Sequence, residues 1–262
     1  GVLVVCLGKA TKVCDLITDK TKEYITTFTL GITTDTQDIS GNILQQRFVC
    51  VSEADIQKVT ASYVGKQQQI PPMYSAKKVD GKKLYEYARK GECVERKPAE
   101  IELFEIELLQ VTSLEVQMRV VCSKGTYIRT LINDIGETLG CGAVMTHLIR
   151  SKVGGFTLED AYTLKQIEDA VKQDTFKEIL LPIDKVFSYP SGIISPEAST
   201  RAINGNPLVL REISFDKGES QVVLSEEYQS KVSLFLASGE FVGIYKIKDD
   251  ICHLDKMFLD KE

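Results

Sequence analysis

The chain has 262 residues, 43% hydrophobic and 26% charged, with a formal net charge of −5. That composition describes a globular protein with room for one large or two modest domains. The seven cysteines are odd in number and include no C-x-x-C pair, and there are only two histidines. This argues against a disulfide framework, a zinc site and a Ser-His-Asp triad.

No apolar run reaches membrane-spanning length, and the N-terminal stretch lacks the charged start of a signal peptide, so a cytoplasmic location is expected. In chain order, Gly1–Leu7 and Tyr24–Leu30 read as strands. Ser52–Val64 reads as a helix with Ser52 as N-cap, Asp55 three residues on and Gly65 beyond its end. Glu100–Gln110 and Glu115–Cys122 read as paired strands, and Leu164–Asp174 as a helix starting near Thr163 or Thr157. The turn-rich Ser188–Gly192 then reads as a linker. Short β-like stretches follow at Pro207–Ile213, Gln221–Leu224, Lys231–Leu236 and Phe241–Ile247. The class expected is α+β, with a larger mixed domain over 1–187 and a small β-rich domain over 193–262.

Charge is unevenly spread. Residues 66–97 hold nine Lys or Arg against four acids, a local net of +5, with Tyr74, Tyr85 and Tyr87 interleaved. Cations neutralise phosphates and aromatic faces stack on unpaired bases, so the mixture suits RNA; a solvated helix face over Lys83–Lys90 is the bland alternative. The tail 193–262 carries eight basic residues against twelve acidic, a net of −4. The D-x-x-D-x-x-G run Asp35–Gly41 lacks EF-hand spacing, and Asp35 reads as a plain Asx-turn. His147, among apolar residues, reads as packed or surface-lying.

The segment Cys122-Ser-Lys-Gly-Thr-Tyr-Ile-Arg-Thr-Leu131 follows an extended apolar run and opens a helical period. Ile128, Leu131, Ile132, Ile135 and Leu139 lie on one face, and Gly140 is placed as a stop. Thr126 is the expected N-cap, with Lys124 and Gly125 in the turn and Tyr127 and Arg129 in the first helical turn. A helix N-terminus attracts anions, and an aromatic ring beside a guanidinium suits a base carrying a phosphate. On spacing alone, most such corners merely pack.

The literal string resembles the catalytic signature of the TruB family, bacterial synthases of pseudouridine 55 in the T-loop of transfer RNA. GVLVVCLGKATK (1–12), DKTKEY (19–24), TLGITTDTQDISG (29–41), PPMYSAKKVDGKKLYEYARKG (71–91) and NGNP (204–207) are similar in the same order. The resemblance implies a pseudouridine-synthase mixed-sheet catalytic domain, with an RNA-contacting insertion at about 66–97, and a PUA-like domain. It implies tRNA, at its T-stem and T-loop, as partner, a monomer, and neither metal nor cofactor. Tyr24 matches the tyrosine that stacks under the flipped uracil and whose phenol can help remove the C5 proton. Tyr127 and Leu148 match the rest of the base pocket, and Arg129 the arginine paired with the nucleophile. Asp38 is expected to hold Arg129 from behind. Lys77, Lys78, Lys82, Lys83, Lys124 and Arg150 are the expected RNA contacts. The family usually follows the pocket leucine with two arginines, where this chain has Ile149 and Arg150, so one basic contact is absent.

The nucleophilic aspartate of the family lies in a Gly-x-Leu-Asp-Pro type motif, and residues 1–262 contain none. The expectation is that the protein extends N-terminally, with the motif ahead of Gly1, and that residues 1–262 alone are inactive. Two alternatives stand beside this: a non-catalytic RNA-binding relative, and a guide-RNA-dependent pseudouridine synthase subunit.

Overall fold

The structure is a computed structural model and describes residues 1–18, 20–215 and 231–259. The chain forms two compact units, Gly1–Val5 with Asp15–Ala161 and Cys6–Cys14 with Tyr162–Glu262. After the short helix α1 (Cys14–Thr18), the first unit contains β1 (Lys22–Leu30), β2 (Ile32–Thr34), β3 (Ile43–Gln46), α2 (Glu53–Ser62) and β4 (Gly65–Gln69). It continues with β5 (Lys78–Val79), β6 (Lys82–Lys83), α3 (Leu84–Ala88), β7 (Ala99–Val111), β8 (Glu115–Cys122), α4 (Ile128–Thr138), β9 (Ala143–Val153) and β10 (Phe156–Thr157).

Six of these strands make one sheet in the order β10-β9-β1-β8-β7-β4. Its neighbours all run antiparallel. The central strand β1 is rich in β-branched and aromatic residues, which suit a pleated, half-buried surface. Side chains alternate between faces, so Thr26, Phe28 and Leu30 are buried together, and Val116, Met118, Val120 and Cys122 of β8 are buried beside them. Ile128, Leu131, Ile132 and Ile135 of α4 complete this core. Fully burying such a side chain stabilises by about 1.5–3 kcal/mol, enough to fix which face each strand turns inward. The opposite face is polar: Arg119 bonds Glu23 at 3.2 Å, Glu107 at 2.8 Å and also Glu105.

Helix α4 lies hard against the start of β9. A Cβ on Gly136 would come within 2.1 Å of the Ala143 nitrogen. Beyond the C-cap Leu139, Gly140 takes φ +81, as the helix stop requires. Helix α2 starts at the expected Ser52, whose hydroxyl and backbone exchange bonds with Asp55 in a capping box.

The second unit starts before the expected linker, with α5 (Leu164–Lys172) capped by Thr163 and Gln166. It then contains β11 (Ser191–Ile194), α6 (Ser199–Ile203), β12 (Leu208–Val209), β13 (Ile213–Phe215), β14 (Lys231–Phe235), β15 (Phe241–Lys248) and β16 (Ile251–Met257). These strands form a six-stranded sheet, order β12-β16-β15-β14-β11-β13, in which β11 runs parallel to β14. Ile194, Leu208, Leu234, Val242, Tyr245 and Cys252 fill its core. The β-rich C-terminal domain expected from the sequence is present.

Several expectations need correction. Gly1–Leu7 is extended but joins no sheet; Val2 alone pairs with Arg150. Ser188–Gly192 lies inside the second unit and runs into β11. Pro207–Ile213 is broken by a turn in which Glu212 accepts from the Val209 amide at 2.9 Å. Strand β9 was not foreseen. Gln221–Leu224 and Asp19 lie outside the described residues.

Candidate active site

The loop joining β2 to β3 is closed at its base by Asp35, which accepts from the Asn42 amide at 2.8 Å and its side chain at 3.0 Å. Gly41 is required there, since a Cβ would fall 2.4 Å from the Asp35 carboxylate. At the tip Gln37 adopts φ +64, and its side-chain oxygen accepts from Thr130 of α4 at 2.7 Å. Asp38 also bridges to Met145 of β9. The loop is thus tied to both elements that border it.

Asp38 is the most densely bonded carboxylate of the site. Its Oδ1 accepts from Thr36 at 2.9 Å, from the Ser40 amide at 3.1 Å and from the Ser40 hydroxyl, while Oδ2 accepts from Arg129 at 3.1 Å. Burial pushes this acid up, but bonds from Ser40, Thr36 and Arg129 outweigh it and hold Asp38 below the ordinary carboxylate range. Arg129 spends its other terminal nitrogen on the Tyr74 carbonyl. A guanidinium is a planar fork of five donors, so two fixed prongs set the direction of the remaining edge. The pairing of Asp38 with Arg129 expected from the sequence is present; the Tyr74 carbonyl was not foreseen.

The turn that delivers Arg129 differs in detail from expectation. The N-cap of α4 is Tyr127, which makes no side-chain cap bond, whereas Thr126 bonds back to the Ser123 carbonyl at 3.0 Å. Lys124 and Gly125 do occupy the turn, both exposed, with Gly125 at φ +81. Tyr127 is half-buried, and its backbone is held by Gln69, a residue that sequence reasoning missed.

Tyr24 stands on the core face of β1, between Val120 and Arg150 in the adjacent strands. Burial raises its phenol pKa; the nearby Arg150 pulls the other way without winning. Burial thus favours the neutral phenol, a form that suits stacking and hydrogen bonding. Arg150, expected on a phosphate, sends Nε to the Val2 carbonyl at 2.7 Å and lies beside Tyr24. Leu148 is 39% exposed, opposite Thr26 of β1, and offers apolar surface. Strand β9 thus places Met145 beside Asp38, Leu148 beside Thr26 and Arg150 beside Tyr24. His147 is on the surface.

The basic segment is a folded hairpin and helix. β5 and β6 pair through Asp80 and Gly81, both at positive φ, as a tight two-residue hairpin turn requires. Leu84, fully buried, anchors α3. Lys77, Lys78 and Lys82 are exposed and Lys83 is half-buried. Lys83 and Arg89 lie 5.5 and 5.2 Å from the Tyr85 ring, and Lys82 lies 5.9 Å from that of Tyr87. Both rings therefore already face cations of their own segment, and phosphate contact suits it better than base stacking. Among the described residues no cluster of three or more His, Cys, Asp or Glu is placed to hold a metal.

A family sequence model described as TruB family pseudouridylate synthase (N terminal domain) matches residues 1–128. A second, described as tRNA pseudouridylate synthase B C-terminal domain, matches 129–188. A protein named tRNA pseudouridine synthase B from Lachnoclostridium phytofermentans is 44% identical over 99% of this chain and 86% of its own length. One of the same name from Clostridium kluyveri is 36% identical, with the same coverage of both chains. Among solved structures, an H/ACA RNP bound to a substrate RNA containing 2′-deoxyuridine superposes with a TM-score of 0.66. It covers 97% of this chain and 71% of that one at 23% identity, a likeness of fold.

Proposed function

We propose a reaction on one premise: this chain belongs to the TruB family of pseudouridylate synthases. The reaction is isomerisation of uridine 55 to pseudouridine in the T-loop of tRNA. The N1–C1′ bond breaks, the freed uracil turns, and C5 joins C1′ while the C5 proton leaves. No atom is added or oxidised, so the chemistry calls for positioned acid, base and nucleophile groups alone. The base must first leave the RNA stack to be reached.

The observation that carries this reading is the fixed guanidinium. Arg129 is braced by Asp38 and the Tyr74 carbonyl, and so is oriented to receive a carboxylate on its remaining edge. In this reading that carboxylate is the family's aspartate, which has no counterpart motif within residues 1–262. Tyr24 stacks under the flipped uracil, Tyr127 and Leu148 close the pocket, and Arg150 steadies Tyr24. The Tyr24 phenol can also help remove the C5 proton in the last step. The lysines of the β5–β6 hairpin and Lys124 neutralise phosphates of the T-arm. A monomeric cytoplasmic enzyme suffices for this work.

The relatives named tRNA pseudouridine synthase B at 36–44% identity favour a stand-alone tRNA enzyme over a guide-RNA-dependent subunit, since the H/ACA likeness is one of fold. The test is tritium release from tRNA transcripts labelled at C5 of uridine, using the full gene product. Release of one equivalent from the natural T-loop and none from a U55C transcript is expected. Release that survives U55C would place the target uridine elsewhere.

A further inference from the structure

The last residue of β4 is a buried glutamine. Gln69 is 4% exposed, and both ends of its amide are used on one distant residue. Its Oε1 accepts from the Tyr127 backbone amide at 2.8 Å, and its Nε2 donates to the Tyr127 carbonyl at 3.1 Å. The same carbonyl accepts from the amides of Thr130 and Leu131, the first turn of α4. A side-chain amide thus stands in for a neighbouring strand, pairing with a single residue on both of its peptide groups.

The position matters for two reasons. The N-cap residue of α4 is Tyr127, and its own part-buried backbone amide finds its acceptor in Gln69. Gln69 also begins the segment that passes through buried Pro71 and Pro72 to Tyr74, whose carbonyl holds Arg129. One short segment therefore fastens the helix start at its backbone and at its guanidinium, two residues apart.

We propose that Gln69 is a positioning residue for the base pocket, setting the height and direction of the Tyr127 ring through the Tyr127 backbone. The inference rests on the pocket role given to Tyr127 above. Glutamine suits the task because one planar group offers a donor and an acceptor at peptide-like spacing. Glutamate would keep the acceptor but set a carboxylate against the Tyr127 carbonyl. Leucine would leave the part-buried Tyr127 amide without its acceptor, and asparagine is one methylene too short to reach both groups.

The test uses Gln69→Glu, Gln69→Leu and Gln69→Asn in the full gene product, with wild type beside them. Hydrogen exchange at the Tyr127 amide should accelerate by roughly tenfold or more in Q69L. Single-turnover rate on saturating T-arm RNA should fall by about ten- to a hundredfold, the scale of a small misplacement in a reactive complex. RNA affinity should stay within about twofold, because phosphate contacts elsewhere dominate binding. In a Tyr127→Ala background the Q69L loss in rate should largely vanish, since there is no ring left to position. Equal losses in both backgrounds would make Gln69 a general stabiliser and overturn the proposal, as would unchanged rates with fast Tyr127 exchange. Q69E, which keeps one bond, guards against simple misfolding of Q69L. A wild type that isomerises no uridine would sink the activity reading itself, whereas an active wild type indifferent to Gln69 would sink this inference alone.

Discussion

At the scale of single residues, the site turns on how one arginine is held. Asp38 and the Tyr74 carbonyl take two prongs of Arg129, so direction as well as charge is fixed. Arg129→Lys keeps the charge and loses the fork, and its turnover should fall on the order of a hundredfold while tRNA affinity changes little. Normal turnover with weakened affinity would instead make Arg129 a phosphate contact. Asp38→Asn tests the brace by pH. The folded pKa of Asp38 is lowered, so its ionised form stabilises the fold fully above the unfolded value of about 3.9. That contribution is lost as pH falls through the lower folded value. The stability gap between wild type and D38N should therefore be widest above about pH 4 and should close in stronger acid. Melting curves across that range check it; a constant gap would mean the asparagine costs packing rather than charge.

At the scale of elements, legibility in the sequence followed how local the cause was. Helix α4 could be read from Ile128, Leu131, Ile132 and Ile135, whose burial on one face decides it, and α2 from its capping box. Strands β1, β7 and β8 showed in their composition. Strand β9 did not, although it carries Leu148 and Arg150, because its alternation is weak and its longest pairing is with β1, far away in sequence. Gln69 was invisible for the same reason: its amide bonds a residue 58 positions away, and nothing local marks it. The Asp80–Gly81 hairpin turn was readable from its dipeptide and went unread. The bond from Arg150 to Val2 was equally unreadable, because it joins residues far apart in sequence. The hairpin now gives a sharper test of the basic segment. Neutralising Lys77, Lys78, Lys82 and Lys83 together should weaken tRNA binding and lower the log–log salt slope by roughly 0.7–0.9 for each lost phosphate contact. Single-turnover chemistry at saturating RNA should stay near normal. Slowed chemistry with an unchanged salt slope would make the hairpin part of the pocket's scaffold instead.

At the scale of the whole molecule, binding and chemistry separate by where charge and carboxylates lie. The chain is net −5, yet residues 66–97 are locally +5 while 193–262 are net −4. RNA should therefore be gripped chiefly through the first unit, and the β-rich unit should contribute local contacts at most. In the proposed reaction a carboxylate sits on the open edge of Arg129, and Asp38 is already committed to its own bonds. A protein made of residues 1–262 alone should consequently bind a T-arm hairpin with ordinary salt dependence and release no tritium from it. Joining a segment that bears the Gly-x-Leu-Asp-Pro type motif should confer activity on the same preparation, and the aspartate-to-asparagine version of that segment should not. Turnover by verified 1–262 protein would show that a group within these residues attacks the nucleotide. Asp38 would then be the first to substitute, because it is the carboxylate in contact with Arg129.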